Sequence, residues 1–294
     1  MSETLRLEDI LSSKIPTTEA APPAPRWLGY FEHLSATSLN MFARCPEQFR
    51  RRYILGERER PGEAAFIGSV FHKSLQFNYE QKIDSHQDRP LSEIVEYLHD
   101  EAWPTEMEKR GGPDEVMWDS EDLDEPRRTT ERVTTAYTRQ VVPSIQPISV
   151  EKKLIADLDG LPVPLLGYID VDTGVVVDTK TGKQAVKSPK AQWQLQGTIY
   201  QLLARKSVEF HTISRAKQPA VYTPLEDPRL LLSYREDRMP EAVRTIIHIA
   251  SQIEFCLNRY GPDEPWPTLG VQHDWACGFC GWRSSCPAWA WERA

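Results

Sequence analysis

A short segment near the middle of the chain places two carboxylates and a lysine close together. The run GYIDVDTGVVVDTKTGK contains Asp170, and then Asp178 and Lys180. Asp178 and Lys180 are two residues apart, so on a β-strand their side chains lie on the same face. A tight Asp-Thr-Gly turn at 172–174 joins the two β-rich runs. This turn allows Asp170 to lie near Asp178.

Carboxylates held this close repel each other unless a cation neutralises them. Oxygen ligands suit Mg²⁺ or Mn²⁺. A neighbouring ammonium group can position a water nucleophile or stabilise phosphorane-like charge. The pattern alone is weak evidence, because solvated strands often alternate Asp and Lys. Other residues must support the interpretation of metal-assisted hydrolysis.

Two further groups of residues support it. Upstream, His72 lies in GSVFH on a predicted helix. Downstream, Gln196 and Tyr200 are four residues apart, which places them one turn apart on a helix face. Each is uninformative by itself, since a lone histidine is more often structural and a lone Gln–Tyr pair is more often helix surface.

Charge is segregated along the chain. The formal net charge of −8 argues against a protein whose whole surface coats nucleic acid, but a local basic cleft remains compatible with nucleic-acid binding. Residues 179–208 carry lysines and arginines and no acid, whereas residues 111–126 carry acids and no base. A charge run is usually a solvated face. The basic segment includes Gln196 and Tyr200, and its DNA-binding candidates are Lys183, Lys187 and Lys190.

A second candidate site is formed by cysteines. Three of the five cysteines lie near the C-terminus with the spacing C-x2-C-x5-C, namely Cys277, Cys280 and Cys286. The other two are Cys45 and Cys256. The odd count argues against a disulfide framework. Three close thiolates suit a soft metal or cluster, which needs a fourth ligand. The leading candidate is Cys45 and the rival is His273. Zinc and a site without metal remain alternatives, and Cys256 is interpreted as a core thiol.

The elements that must position these residues follow from hydrophobic periodicity. Residues 1–33 are predicted to be a flexible, Pro-rich leader, and 34–294 a single domain. Ser35 or Ser38 is expected to cap a helix that carries Leu39, Phe42 and Phe49. Further helices are predicted at 66–82, 91–110, 127–142, 189–205 and 240–259, and strands at 147–156, 163–171, 174–179, 207–213, 218–223 and 229–234. The pattern favours an α/β core with an N-terminal helical part.

In order and spacing, these residues resemble the PD-(D/E)XK nuclease superfamily, in its RecB-like branch. The matching segments are GSVFH with His72, GYID with Asp170, VVDTKTG with Asp178 and Lys180, and the Gln196–Tyr200 helix. The proline of the superfamily motif is absent, because Tyr168 and Ile169 precede Asp170. Glu151 lies where such proteins often carry an acid on the preceding strand.

The resemblance implies a restriction-endonuclease-like core, a mixed sheet flanked by helices. It implies a helical part at 34–145, a catalytic core at 146–260 and a cluster-binding tail at 261–294. His72, Asp170 and Asp178 would hold Mg²⁺ or Mn²⁺, with the backbone carbonyl of Thr179 as a further ligand. Lys180 would orient the nucleophile, and Gln196 and Tyr200 would support Lys180 or the DNA strand.

One early cysteine followed by three late ones resembles the iron–sulfur subset of RecB-like nucleases, which includes the AddB nuclease domain and CRISPR-associated RecB-like exonucleases. The run S-x-x-S-L-N-x-F-x-x-C-P-x-x-F matches that subset too. This resemblance covers about residues 34 to 288. It implies a structural [4Fe–4S] cluster held by four residues, Cys45, Cys277, Cys280 and Cys286.

The expected function is therefore a metal-dependent DNA exonuclease acting on single-stranded DNA or duplex ends. Its setting would be DNA repair, recombination, phage DNA processing or CRISPR adaptation, with protein partners from those systems. One alternative is a non-catalytic DNA-end-binding protein that keeps the fold, and another is a zinc-stapled interaction protein. The sequence carries no apolar run of transmembrane length and no signal peptide, so a cytoplasmic location is expected.

Overall fold

The computed structural model describes residues 5–6, 29–119, 122–268, 277–278 and 280–288. The chain divides into two compact units. The terminal unit comprises Met1–Glu59, Leu154–Gly167 and Arg235–Ala294, and the central unit comprises Arg60–Lys153 and Tyr168–Tyr234. Most of the predicted leader at 1–33 lies outside the described residues, so its flexibility stays a prediction.

The helical part of the central unit precedes its strands. Helix α3 spans Glu63–Ser85, α4 spans Leu91–Tyr97, α5 spans Trp103–Arg110 and α6 spans Asp124–Gln140. A π-helical turn, Leu98–Ala102, joins α4 to α5, so the predicted helix at 91–110 is one helical stretch with a distortion. Helix α5 ends at Gly111, whose left-handed backbone (φ 92°) suits a residue without a Cβ.

The sheet of the central unit is mixed. Strand β4 (Leu165–Asp172) pairs antiparallel with β5 (Val176–Gly182), and β5 pairs parallel with β6 (Val208–Ser214). Helix α7 (Ala191–Ala204) makes the crossover that a parallel pair requires. Two short strands, β7 (Val221–Tyr222) and β8 (Leu231–Leu232), pair antiparallel with β6.

Helix α7 approaches strand β6 closely at Gly197. A Cβ at this position would lie 2.9 Å from the ring of Phe210 and 3.0 Å from the side chain of Leu232. Glycine therefore sets the distance between the Gln196–Tyr200 helix and the sheet.

Two hydrophobic clusters form the core of the central unit. One joins α3 and α6 to the sheet, through Phe71, Leu75, Tyr79, Val133, Tyr137, Val171, Val177 and Ile213. The other packs Phe66 and Val70 of α3 against the 98–118 region, through Leu98, Trp103 and Val116. These clusters fix α3, which carries His72, against β4 and β5.

The terminal unit begins with short strands and helices. Strands β1 (Leu5–Arg6) and β2 (Leu34–Ser35) pair parallel with β3 (Ser149–Asp157) and β4, respectively. Helix α8 spans Met239–Tyr260 and buries one apolar face, including Val243, Ile246 and Ile253.

The first predicted helix is in fact two. Helix α1 spans Ala36–Arg44, with Ser35 as its N-cap and a reciprocal bond from Ser38. Helix α2 spans Pro46–Phe49, so Phe49 does not share a helix with Leu39 and Phe42 as expected. The break follows from Pro46, which has no N–H and drives the preceding Cys45 to an extended backbone (φ −161°, ψ 110°).

The observed elements confirm the predicted α/β class, with a mixed sheet, flanking helices and an N-terminal helical part. Within the described residues, no helix is both long and apolar enough to cross a membrane.

Candidate active site

The two candidate carboxylates lie on neighbouring strands of the central unit. Val171 pairs with Val177 and Asp172 with Val176 across β4 and β5. Continued by one residue, this register places Asp170 opposite Asp178. The backbone N–H of Thr179 donates to Asp170 Oδ2 at 3.2 Å. The turn therefore brings the two carboxylates together, as the sequence predicts.

Asp178 is deeply buried, with only 1% of its surface exposed. Lys180 Nζ donates to its Oδ1 at 3.0 Å and lies 2.8 Å from Oδ2. The approach to Oδ2 has no hydrogen-bonding geometry, so this buried oxygen has no donor among the described residues. Burial raises the pKa of Asp178 to about 6; the positive charge of Lys180 opposes the rise and the negative charge of Asp170 adds to it.

His72 projects from α3 towards Asp170. Its Nδ1 lies 3.3 Å from Asp170 Oδ2. A small pocket of about 10 Å³ beside them is lined by several residues, among them His72, Glu151, Asp170 and Thr179. A pocket of this volume is about large enough to hold a single water molecule.

Glu151 takes part in this pocket, although its role was uncertain from the sequence. Its backbone is left-handed (φ 48°) within strand β3, a conformation that costs a non-glycine residue about 1–3 kcal/mol and clusters at functional sites. Partial enclosure of the carboxylate raises the pKa of Glu151, the negative charge of Asp170 adds to this, and the charge of His72 opposes it. Glu151 is thus an electrostatic neighbour of the His72–Asp170 pair.

Gln196 and Tyr200 meet on one face of α7, as predicted. Gln196 Nε2 donates to the Tyr200 hydroxyl oxygen at 2.7 Å, which leaves the phenolic hydrogen available to another acceptor. Tyr200 is buried. Burial, followed by the negative charges of Asp178 and Asp170, raises the pKa of Tyr200. The pair therefore belongs to the surroundings of the two carboxylates.

The three candidate DNA-binding lysines lie exposed between β5 and α7. Lys187 Nζ lies 5.0 Å from the ring centre of Tyr222, and Lys190 Nζ lies 5.3 Å from that of Trp193. Both distances are within the range of cation–π contacts. Lys183 makes no such contact with the residues that the structure describes.

The carboxylate site suits a divalent cation in its donor chemistry. Asp178 Oδ2 is buried without a hydrogen-bond donor, and a carboxylate opposite Asp170 is stabilised by added positive charge. Across the described parts of the chain, however, no three His, Cys, Asp or Glu side chains are grouped as metal ligands would be. The ligand roles of His72, Asp170, Asp178 and the Thr179 carbonyl stay predictions.

The four candidate cluster cysteines all lie in the terminal unit. All five cysteines of the chain are free thiols. Burial raises the pKa of both Cys280 and Cys286, and the negative charge of Cys45 adds to each rise. Cys45, Cys280 and Cys286 are thus electrostatic neighbours, although more than 230 residues separate Cys45 from the other two.

Hydrogen bonds join the segment after Cys45 to the C-terminal cysteine segment. Gln48 Nε2 lies 2.9 Å from Cys280 Sγ. Arg51 donates to the side chain of Ser285 at 2.8 Å and to its carbonyl at 3.0 Å. The Gly281 N–H donates to Glu59 Oε1. The thiol donors fit a soft metal or cluster by their chemistry, and His273, the rival ligand, lies outside the described residues.

A buried ion-pair system supports the same region. Glu47, 2% exposed, accepts two hydrogen bonds from Arg50 at 2.8 Å each and one from Arg51 at 3.0 Å. The backbone N–H of Trp266 donates to it at 2.8 Å. Glu47 was not identified from the sequence, because its partners combine local spacing with a contact 219 residues away.

The sequence of this chain matches the profile of the PD-(D/E)XK nuclease superfamily over residues 33–287. The chain belongs to this superfamily, which supports a nuclease activity. Its fold resembles the crystal structure of a "Putative exonuclease" from Eubacterium rectale, with a TM-score of 0.56 and 12% identity over 86% of this chain and 88% of that chain. At that identity the similarity shows the fold alone.

A second solved structure, SSO0001, aligns with a TM-score of 0.34 and 14% identity over 83% of this chain and 94% of that chain, which is too distant to inform the function. No curated protein matches the sequence.

Proposed function

We propose that the chain is a metal-dependent DNA exonuclease that hydrolyses phosphodiester bonds in single-stranded DNA or at duplex ends. The observation that carries the proposal is the buried Asp178, held by Lys180 and facing the Asp170–His72 pair, in a member of a nuclease superfamily. Burying a carboxylate away from water is costly. A site that contains a buried carboxylate is therefore a candidate for binding a cation.

The position of each residue indicates the role that it would have in catalysis. His72, Asp170 and Asp178 would hold the cation, with the Thr179 carbonyl. A bound Mg²⁺ or Mn²⁺ would supply Lewis-acid activation of the attacking water and neutralise charge at the phosphate. The Lys180 ammonium, 2.8–3.0 Å from Asp178, would hold the nucleophile in line and offset developing negative charge.

Gln196 and Tyr200 would orient Lys180 or the DNA strand. Because Gln196 donates to the Tyr200 oxygen, the Tyr200 O–H can point towards an anionic group. The buried environment of Tyr200 keeps this hydroxyl protonated, so it acts as a donor and not as a base.

DNA as the substrate is supported by the basic segment. Lys183, Lys187 and Lys190 are exposed in the loop that directly follows the Asp178–Lys180 strand, and residues 179–208 contain no acid. Phosphate contacts from such lysines would supply affinity independent of base sequence.

We also propose a structural [4Fe–4S] cluster held by the four cysteines of the terminal unit. The contribution of Cys45 to the raised pKa values of Cys280 and Cys286 supports it, because it indicates that the three sulfur atoms are near one another. A bond through the cluster between Cys45 and the C-terminal cysteines would close a very long loop. Closing such a loop without a covalent or metal link is entropically costly. Binding of the cluster and folding of the protein would therefore be coupled. The cysteines are separated in sequence from every proposed catalytic residue, which favours a structural role.

The resemblance to recombination and CRISPR-associated nucleases would place the protein inside the cell, in DNA repair, recombination or spacer handling, with partners from those systems.

End-labelled single-stranded and duplex DNA, incubated with Mg²⁺ or Mn²⁺ and sized over time, tests the proposed activity. We expect progressive shortening from an end, abolished by EDTA and restored by added cation. A protein that shifts DNA in a gel but releases no nucleotides at any cation concentration would instead be the non-catalytic end binder. Full cleavage in EDTA would contradict the assigned roles of Asp170 and Asp178.

A further inference from the structure

A chain of buried polar side chains lies on the hidden face of the strand that carries Asp178 and Lys180. Thr179 lies between those two residues, so its side chain is on the opposite face of β5. In the parallel pairing of β5 with β6, Thr179 is the partner of His211. The hydroxyl of Tyr137, from α6, lies 2.6 Å from His211 Nδ1 and 3.4 Å from Thr179 Oγ1.

The direction of the hydrogen bonds follows from the end of this chain. Glu209 Oε2 lies 3.4 Å from His211 Nε2. A carboxylate oxygen is an acceptor, so its position favours a ring proton on Nε2 over one on Nδ1. Nδ1 is then an acceptor, the Tyr137 O–H donates to it, and the Tyr137 oxygen can accept from the Thr179 hydroxyl.

These groups are almost completely sealed from water. Tyr137 is fully buried, and His211 and Thr179 are each 4% exposed. Most of the packing around Tyr137 is apolar, with Phe71, Val141 and Ile213 among its neighbours in the core cluster, and the hydroxyl of Tyr79 also lies beside the phenol. A phenylalanine would fill the same volume without burying a hydroxyl, which needs a partner to offset its loss of hydration. The polar chain therefore needs a reason other than packing.

The reason lies in the contact that the backbone of Thr179 makes with a carboxylate of the active site. Its backbone N–H donates to Asp170 Oδ2 at 3.2 Å, and its peptide links Asp178 to Lys180. Holding the Thr179 side chain from the hidden face limits rotation of this peptide. The position of Asp170 relative to Asp178 then depends on the Tyr137–His211 pair.

We propose that Tyr137 and His211 are positioning residues for the nuclease site: they hold Thr179 from behind the strand, and through its peptide they set the spacing of Asp170 and Asp178 that receives the cation. The inference rests on the proposed metal-dependent function. It predicts that these residues govern how tightly the cation binds, although neither contacts the pocket that contains Asp170 and His72.

The test compares variants that each delete one hydroxyl at nearly constant volume. Tyr137→Phe removes the phenolic hydroxyl and Thr179→Val removes the threonine hydroxyl. Thr179→Ser keeps a hydroxyl at position 179. Thr134→Val is the matched control, because Thr134 is also fully buried on α6, but its hydroxyl has no hydrogen-bond partner among the described residues. Two measurements are made on each full-length protein: cleavage rate against Mn²⁺ concentration, and Mn²⁺ binding by calorimetry without DNA.

We expect Tyr137→Phe and Thr179→Val to raise the Mn²⁺ dissociation constant roughly three- to tenfold, the range that the loss of one net hydrogen bond produces. Cleavage should fall at low Mn²⁺ and recover largely at saturating Mn²⁺, with KM for DNA unchanged. Thr134→Val should match the wild type, and Thr179→Ser should recover most of the Mn²⁺ affinity that Thr179→Val loses. A merely structural role would lower thermal stability without moving the Mn²⁺ constant.

The outcomes separate the two proposals. If the wild type binds and uses Mn²⁺ while Tyr137→Phe and Thr179→Val do so with the same constants, the positioning role is wrong and the nuclease function stands. If the wild type neither binds Mn²⁺ nor cleaves DNA, the proposed function itself fails. If Tyr137→Phe does not fold, the Thr179→Val and Thr179→Ser pair decides the question alone, because a serine that fails to rescue contradicts the inference.

Discussion

Replacing Asp178 by asparagine should make the metal-free protein more stable while it eliminates cleavage. The side chain is 1% exposed, and burial raises its pKa from the ordinary value of 3.8 to about 6. A carboxyl with a raised pKa in the folded state opposes folding once it is ionised. This destabilisation is absent below pH 3.8, grows as pH rises between 3.8 and about 6, and is complete above that value.

The gap between the two pKa values corresponds to about 3 kcal/mol at pH 7.5. An uncharged amide removes this cost but adds two donors that need acceptors, so we expect a net gain of about 1–3 kcal/mol. For a protein of this size the melting temperature should rise by roughly 2–4 °C for each kcal/mol. Because the gain depends on ionisation of Asp178, it should shrink towards zero as pH falls to about 4.

The assay is urea unfolding of the metal-free proteins at pH 7.5 and pH 4. Asp172→Asn is the matched control, because Asp172 is also a buried aspartate that is paired with a lysine. It lies on β4, and both of its oxygens are 2.6 Å from Lys206 Nζ. Its loss leaves Lys206, which is only partly exposed, without its partner and should destabilise by about 1–3 kcal/mol. An Asp178→Asn protein less stable than the wild type at pH 7.5 would refute the reasoning.

Three other sets of substitutions test the remaining assignments. Lys180→Ala should reduce cleavage by at least about a hundredfold with DNA affinity nearly unchanged in a gel-shift assay, since phosphate contacts are spread over several cations; cleavage at the wild-type rate would mean that the D-T-K motif is misassigned. Anaerobically purified protein should absorb broadly near 400 nm, on the order expected for Cys-ligated iron–sulfur. Alanine at any one of the four cluster positions should remove this absorbance and destabilise the protein; these positions are Cys45, Cys277, Cys280 and Cys286. The control variants Cys256→Ala and His273→Ala should keep both the absorbance and the stability. Stoichiometric zinc without iron, or a stable coloured Cys45→Ala protein, would overturn that site. Glu47→Gln should cost about 3 kcal/mol in thermal unfolding, because it leaves buried arginine charge unpaired; an unchanged melting temperature would show that the Glu47 ion pairs do not stabilise the fold.

The sequence predicted the local parts of this molecule well, because they depend on periodicity and short-range spacing. The helices α3, α6, α7 and α8 and the strands around Asp170 and Asp178 occur where alternation and 3.6-residue patterns place them. The contact of Asp178 with Lys180 follows from strand geometry alone, and that of Gln196 with Tyr200 from helix geometry alone.

Long-range contacts could not be read from the same patterns. Nothing in the local sequence of Tyr137 distinguishes it from an ordinary apolar position of α6, and His211 resembles any polar residue of a strand. Their contact depends on which strands pair and on how α6 packs against them. The break at Cys45 was predictable in principle, because Pro46 carries the signal, but the helical spacing of Leu39, Phe42 and Phe49 outweighed it.

The contact between Glu47 and Trp266 has a consequence for synthesis of the protein. At about 5–20 residues per second, the ribosome needs on the order of ten to forty seconds to make the 219 residues between them. The central unit, whose last residue is Tyr234, is complete before Trp266 emerges. Throughout that interval Phe42 and Phe49, which contact the indole ring of Trp266 in the finished protein, lack this cover. Until Trp266 is made, the nascent chain therefore leaves these two aromatic rings without that cover, and a ribosome stalled before this residue would hold the chain in that state.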